Sequence, residues 1–560
     1  MKEVIEKYCL KNAYDFGLVN PKVVLGLVLR ENPELKKDVP SVLKQIEETI
    51  TEVSKLNKEE IKAKLPKELL QEKKEVKKGP LKELPNAEEG KVVVRIAPSP
   101  SGPLHIGHAY GASLNYEYAK MYKGKFIVRI EDTNPENIYP QAYELIEDDA
   151  RWLTEDNVSQ VVIQSSRLEI YYNYAKKLVD IEKAYVCECD ADTFREMKAK
   201  GEACPCRSLD KKEQQLRYAK MFKAYNEGEA VLRLRTDIQH KNPAMRDFAI
   251  MRINEHLHPK TKKENRVWPL MVLSVAIDDH KLGLTHVLNG KDHADNAKKE
   301  TMIMEYLGWK APEYKHWGKI NFEGFTLSTS KTRIAIEQGE YEDWEDIRLP
   351  TMPALRKRGY QPEAFRKYAL EIGLSLNDKT VAIDEFWKNV NAFNKEIVET
   401  KANRYFFIDH PMEVRVENAP PEKVTLDLHP DFPKRGQREL LAKDKITISR
   451  KDWNNLEEKK IHRLMDYCNF EKQGEKLIFI SELLDDYRSS DKKGLIIHWL
   501  PAEHQLNVRV LQTDNDYVKG IGEETMLSLE VGAIVQLERR YFARLVKKED
   551  GKLTFWYLHK

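Results

Sequence analysis

Two segments far apart in the chain carry side chains suited to handling phosphates. The first, His105-Ile106-Gly107-His108, comes after a β-branched run, Val92-Val93-Val94-Arg95-Ile96, and a tight Pro98-Ser99-Pro100-Ser101-Gly102-Pro103 loop. It lies at the start of an apolar-periodic stretch from Leu104 through Ala119, so the pattern predicts strand, loop, helix. The unpaired N–H groups of a helix start suit a polyphosphate. Two imidazoles there add donors that can follow charge developing during phosphoryl or adenylyl transfer. Gly107 lets a base or ribose approach the backbone. The second segment, Ser328-Thr329-Ser330-Lys331-Thr332, reads as a mobile, hydroxyl-rich loop in which Lys331 can close over a phosphate as a point charge. Each segment alone is short, and a Ser/Thr loop with a lysine is more often only a loop.

Other candidates are chemically distinct. Cys187-x-Cys189 and Cys204-x-Cys206 are 14 residues apart and could close a tetrahedral Zn²⁺ site; buried thiols in a reducing compartment are the bland alternative. Cys9 and Cys468 are isolated and receive no role. Arg356-Lys357-Arg358-Gly359 and Lys434-Arg435-Gly436-Gln437-Arg438 are compact basic clusters of the kind that neutralise nucleic-acid phosphates, with an ordinary solvated surface as the equal alternative. Trp344, Trp387, Tyr405 and Phe406-Phe407 read as core rather than as platforms for stacked bases.

The elements that must position these groups follow from periodicity. Residues 1–88 read as a helical extension and linker: after Pro40-Ser41, apolar Val42, Leu43, Ile46, Ile50 and Val53 mark one helix face. A Lys/Glu tract with Pro66, Pro80 and Pro85 follows it as a solvated linker. Residues 89–185 begin a doubly wound parallel sheet, with Lys125–Ile130 as its second strand and neither a Walker A nor a G-x-G-x-x-G loop. Residues 186–267, with the four cysteines and alternating Val231-Leu232-Arg233-Leu234-Arg235, read as an insertion. The α/β pattern resumes over 268–335, a helical connector spans 336–402, and many short strands over 403–560 predict two β-barrels. The fold class is thus multidomain α/β plus all-β.

Composition narrows the classes. Of 560 residues, 41% are hydrophobic and 33% charged, as expected for a folded, charge-rich protein. The 93 basic and 91 acidic residues leave +2, which excludes a uniformly polycationic nucleic-acid packer. The apolar run Val23–Leu29 is too short to span a membrane, Met1-Lys2-Glu3 opens no secretory signal, and six cysteines make no disulfide scaffold. A cytoplasmic protein is expected.

The paired motifs resemble the two signatures of class I aminoacyl-tRNA synthetases, written HIGH and KMSKS. The flanks Arg95-Ile96-Ala97-Pro98-Ser99-Pro100-Ser101-Gly102, Arg129-Ile130-Glu131-Asp132-Thr133-Asn134-Pro135, Ile277-Asp278-Asp279-His280 and Gly290-Lys291-Asp292-His293 are similar to glutamyl-tRNA synthetases of the archaeal and eukaryotic branch, which also includes the glutaminyl enzymes. Asp346-Ile347-Arg348-Leu349-Pro350 and Val531-Gly532-Ala533-Ile534-Val535-Gln536 extend the likeness from about residue 90 to the last barrel.

The resemblance implies a Rossmann-type catalytic domain with an acceptor-binding insertion, a helical connector and two anticodon-binding barrels. It implies activation of L-glutamate by ATP, with Mg²⁺ on the phosphates, and transfer to the 3′ end of tRNA(Glu), and of tRNA(Gln) in organisms without a glutaminyl enzyme. His105, Gly107, His108, Ser330 and Lys331 would hold ATP, with His105, His108 and Lys331 catalytic. Arg95, Ser99, Glu131, Met271 and Asn289 would line the amino-acid pocket, where relatives carry tyrosine at the position of Met271 and arginine at that of Asn289. Arg95, or Lys291 leaning in, would then meet the substrate's acidic side chain. Arg356, Lys357, Arg358, Lys434 and Arg435 would contact tRNA, and the cysteines would hold structural Zn²⁺. The N-terminal helices would suit a protein partner. The alternatives are a glutaminyl-tRNA synthetase and a non-catalytic tRNA-binding protein that kept the fold.

Overall fold

The apolar stripe of the N-terminal region becomes a small helical unit of its own. The computed structural model describes residues 2–16, 19–65, 81–262, 265–324 and 327–560. Within this unit, α1 (Lys2–Phe16), α2 (Pro21–Glu31), α3 (Val39–Val53) and α4 (Lys58–Lys64) share a core of Ile5, Cys9, Val24, Val28, Val42, Ile46, Val53 and Ile61. Helix α3 starts before Pro40-Ser41. Asp38 is the cap, its carboxylate accepting from Ser41 N at 3.3 Å, and Pro40 fits the first turn because no N–H is needed there. Residues 66–80 of the expected linker lie outside the described residues.

The solvated-linker reading fails over residues 81–88. Leu84 is buried and its N–H donates to Tyr122 Oη at 2.9 Å, while His286 Nε2 donates to Pro85 O at 2.8 Å. This stretch belongs to the α/β unit.

The sheet explains where a ligand can bind. Strands β1 (Val93–Ile96), β2 (Lys125–Ile130) and β3 (Gln160–Ile163) are parallel. An antiparallel sheet, β4 (Ala184–Cys187), β5 (Val231–Leu234), β6 (Ala249–Ile253) and β7 (Val267–Pro269), interrupts the winding in simple order. The chain then returns as β8 (His286–Gly290), paired in parallel with β9 (Glu313–Trp317). Thr285, just before β8, donates from its N–H to Val93 O at 3.1 Å and accepts from Val93 N through Oγ1 at 2.9 Å. Strand β8 therefore lies on the side of β1 opposite β2. The order reverses between β1 and β8, and the crevice at their carboxyl ends is where doubly wound folds bind ligands. Gly124 is required just before β2, since a Cβ there would stand 2.1 Å from Val92 O.

The connector is not purely helical, because β10 (Ile320–Glu323) pairs in parallel with β11 (Lys379–Ala382). The C-terminal strands form two seven-stranded sheets and a two-stranded one, Glu422–Asp427 with Gln437–Ala442. In one, Asn403–Tyr405 and Phe407–Asp409, separated by Phe406 alone, occupy opposite ends of the strand order, so the sheet closes on itself. Its remaining strands lie between Gln505 and His559. The second sheet, from Pro411 to Pro501, is inserted within the first. Tyr405, Phe406 and Phe407 are core residues of these barrels, and Trp344 is buried as well.

Candidate active site

The helix α5 (Ile106–Met121) begins at the topological reversal with His105 as its N-cap. His105 Nδ1 accepts from Gly107 N at 3.1 Å, and His108 Nδ1 accepts from His105 N at 3.3 Å. The rings stack at 3.8 Å. With each Nδ1 taken by a backbone donor, the neutral tautomer carries its proton on Nε2, so both rings offer an N–H. Burial pushes both imidazoles below their ordinary range, His108 to about 4, and the adjacent His108 adds to the effect on His105. Both are neutral donors at pH 7. The turn is held by Asp149, whose Oδ2 accepts from Leu104 N at 2.9 Å, and by Ile106 N donating to Pro350 O at 3.1 Å.

The second motif differs from the expected loop. Ser328 caps the helix Thr329–Glu337, its Oγ accepting from Lys331 N at 3.4 Å. Ser330 and Lys331 therefore sit in the first turn of a helix, both exposed. Leu327 lies against Gly107, where a Cβ would stand 3.1 Å from its Cδ1, and Thr329 lies against Gly102. The two motifs meet in space.

Beside α5, a cavity of about 280 Å³ opens at the ends of β1 and β8. Arg95, Ser99, Gly107, His108, Glu131, Met271 and Asn289 all line it. Arg95 is not poised alone for an acidic ligand: its Nε and Nη2 each lie 3.4 Å from the carboxylate of Asp279. Arg129, fully buried, also pairs with Asp279 and donates to Glu131 Oε1 at 3.1 Å. Burial opposes the charge on Asp279, but Arg95 and Arg129 outweigh it and hold the carboxyl below its usual range. Asn289 Oδ1 accepts from His316 Nδ1 at 2.6 Å. Lys291 does not lean in: it pairs with exposed Asp378 at 2.6 Å and is absent from the lining.

Sequence reasoning gave no role to Asp279, Glu300, Tyr314 or Trp317. Asp279 stood in a quoted flank, whereas Glu300 follows Lys298-Lys299 and reads as one more solvated charge. In the structure Glu300 and Trp317 line the cavity, and Tyr314 donates to Glu300 Oε2 at 3.2 Å.

The four cysteines converge, with Cys187 and Cys204 Sγ 3.8 Å apart, Cys189 and Cys206 Sγ 3.8 Å apart, and all four within 4.8 Å. A tetrahedron of thiolates about 2.3 Å from Zn²⁺ has edges of about 3.8 Å. The donor set and spacing fit that ion.

The basic clusters divide. Arg358 is buried and donates to the carbonyls of Tyr557 and Leu558 at 3.2 and 2.9 Å, so it joins the connector to the last strand and has no free face for a phosphate. Lys357 pairs with Glu345 at 2.8 Å. Arg435 donates to the carbonyls of Ala402 and Thr400, while Lys434 is exposed.

A family model described as tRNA synthetases class I (E and Q), catalytic domain, matches residues 91–400. Two models of the anti-codon binding domain of the same class match 402–477 and 496–546. The chain is 42% identical over 567 residues to the glutamate–tRNA ligase of Methanococcus maripaludis, covering 100% of both chains. It is 41% identical to that of Methanocaldococcus jannaschii over 563 residues and 42% to that of Methanothermobacter thermautotrophicus over 565, again covering 100% of both chains.

Proposed function

The chain belongs to the class I (E and Q) tRNA synthetases, and from that premise we propose that it is a glutamate–tRNA ligase. The observation that carries the reading is the contact of Leu327 and Thr329 with Gly107 and Gly102, which supports a shared site for Lys331 and the paired imidazoles. In this reading the α-carboxylate oxygen of glutamate attacks the α-phosphorus of MgATP. The bond to the β,γ-pyrophosphate breaks, leaving glutamyl-adenylate. A terminal hydroxyl of tRNA then attacks the glutamyl carbonyl carbon, AMP departs with the bonding pair, and the hydroxyl proton leaves.

Little proton chemistry is needed from side chains, so positioning and electrostatics carry the rate. The Nε2–H groups of His105 and His108 would donate to phosphate oxygens, and Lys331, beside Ser330, would meet charge developing on the phosphorus. Gly107 leaves room for the nucleotide. Glu131 would accept from the α-ammonium, with Arg95, Ser99, Met271 and Asn289 shaping the rest of the pocket. Cys187, Cys189, Cys204 and Cys206 would hold Zn²⁺, which would fold the insertion around the Tyr185–Phe194 core. Lys434 and Arg356 are the basic residues kept for tRNA.

Aminoacylation with both amino acids and both tRNAs tests the substrate reading: glutamate on tRNA(Glu) is expected, and glutamine activation without glutamate overturns it. The same assay reads whether tRNA(Gln) is charged with glutamate, as the resemblance implies for organisms without a glutaminyl enzyme, and whether Asn289 in place of arginine loosens the choice of glutamate over glutamine. Lys331→Ala lowers the rate by roughly 10²-fold if the lysine stabilises the transition state; an unchanged rate removes that role. The N-terminal helices are assigned to a protein partner, tested by pull-down with and without residues 1–79. A cytoplasmic location agrees with the absence, among the described residues, of any helix long and apolar enough to cross a membrane.

A further inference from the structure

In and behind the wall of the cavity, three carboxyl groups stand against two guanidinium groups. Arg95 and Arg129 converge on Asp279, and Arg129 also reaches Glu131, so two guanidinium groups are balanced by two carboxylates. A third carboxyl, that of Glu300 on the helix Ala294–Tyr306, lines the same cavity at 4% exposure. Its Oε2 accepts from Tyr314 Oη at 3.2 Å, while Oε1 has no hydrogen-bond partner among the described residues. The charged and titratable groups facing it are Asp279 from the helix Met271–Lys281, Arg95 from β1, Arg129 and Glu131 from β2 and its end, and Tyr314 from β9.

We propose that Glu300 is a specificity-determining residue: through Oε1 it meets the distal group of the bound amino acid and decides between a carboxylate and an amide there. The inference rests on the reading of this cavity as the amino-acid site. Glu300 and Asn289 line the cavity together with Glu131 and His108, so an amino acid with its α-carboxylate toward the imidazoles and its α-ammonium on Glu131 would have them in the wall left for its side chain. Burial outweighs Arg95 and Arg129 and lifts the Glu300 carboxyl to about 8, so at neutral pH it carries a proton. A protonated carboxyl donates to a carboxylate, and one proton serves two acids. Once ionised, it repels a carboxylate and accepts instead from the amide N–H.

The test is amino-acid-dependent pyrophosphate exchange by the full chain, in the presence of tRNA, with glutamate and glutamine from about pH 6.5 to about 9.5. The ratio of kcat/KM for glutamate over glutamine removes effects common to both, including titration of the α-ammonium. That ratio is expected to fall by up to about tenfold per pH unit above about 8. Glu300→Gln keeps a donor and cannot ionise, so its ratio stays flat with pH. Tyr314→Phe removes a hydrogen bond that favours the ionised form, so the inflection moves to higher pH; this variant also keeps the idea open to refutation if Glu300→Gln does not fold. The same pH profile in the wild type and Glu300→Gln, or an unmoved inflection in Tyr314→Phe, overturns the role of Glu300. Loss of exchange with both amino acids in the wild type instead overturns the reading of the site, and this inference with it.

Discussion

Thr329 rests on Gly102 so closely that a Cβ on the glycine would stand 2.4 Å from its Cγ2 and 2.8 Å from Trp344. Gly102 lies in the loop before His105, and Thr329 opens the helix that carries Lys331. Their contact fixes where the start of the Lys331 helix lies against the loop that precedes His105. Gly102→Ala is expected to push the Thr329 helix away and cut the exchange rate by about 10²-fold, as small misplacements of catalytic groups do. Thermal melting would show a smaller change, about 1–3 kcal/mol of overpacking. An exchange rate within twofold of wild type would show that the contact does not position the lysine.

Protonation of His108 links the site to acid stability. Its folded pKa lies near 4, below the ordinary 6.5, because burial penalises the charged ring. The stability it contributes is full above about pH 6.5 and is lost as pH falls through about 4, since the unfolded chain then binds a proton that the folded chain refuses. His108→Gln should flatten this part of the stability–pH curve, measured by thermal melts between those limits. The same variant should lower exchange at pH 7 by roughly 10²-fold, the scale of one lost transition-state donor.

Elemental analysis should find one Zn²⁺ per chain, and Cys204→Ser should lower that occupancy together with the protection of the insertion against proteolysis. Zinc held by four thiolates would supply folding energy to a subdomain whose core is otherwise Tyr185, Phe194 and their neighbours. Equal protection with and without a chelator would mean that the cysteines act only as buried thiols.

Between the barrels, Arg438 and Glu523 form a nearly fully buried pair at 3.0 Å. Glu523 also accepts from Phe406 N and Thr525 Oγ1. Arg438→Met leaves a carboxylate buried without its cation and should destabilise the barrels by about 3–5 kcal/mol, read from denaturant unfolding. Adding Glu523→Leu should recover much of that loss. A single variant as stable as wild type would mean that water or another group takes the place of the arginine.

Much of the architecture was legible because it rests on local pattern. The β-branched run at Val92–Ile96, the loop of prolines and the apolar periodicity after His105 belong to neighbouring residues, and backbone preference and burial act on them directly. The contribution of residues 403–409 to a barrel completed only after residue 505 was not legible, since strand pairing over that separation leaves no local mark. The same holds for Arg358 and Arg435: a guanidinium bonded to buried carbonyls and one bonded to phosphate look identical in one dimension.

The sequence by itself determined the chemistry available: two imidazoles at a helix start, one lysine among hydroxyls, four thiolates and an arginine in the first strand. Only the tertiary structure decided what each of them faces. Arg95 is neutralised by Asp279, Lys291 is drawn away by Asp378, and Glu300 enters the cavity instead of solvent. The reason is that a charge's free energy depends on its burial and its partners, and both are set by segments far away in the chain.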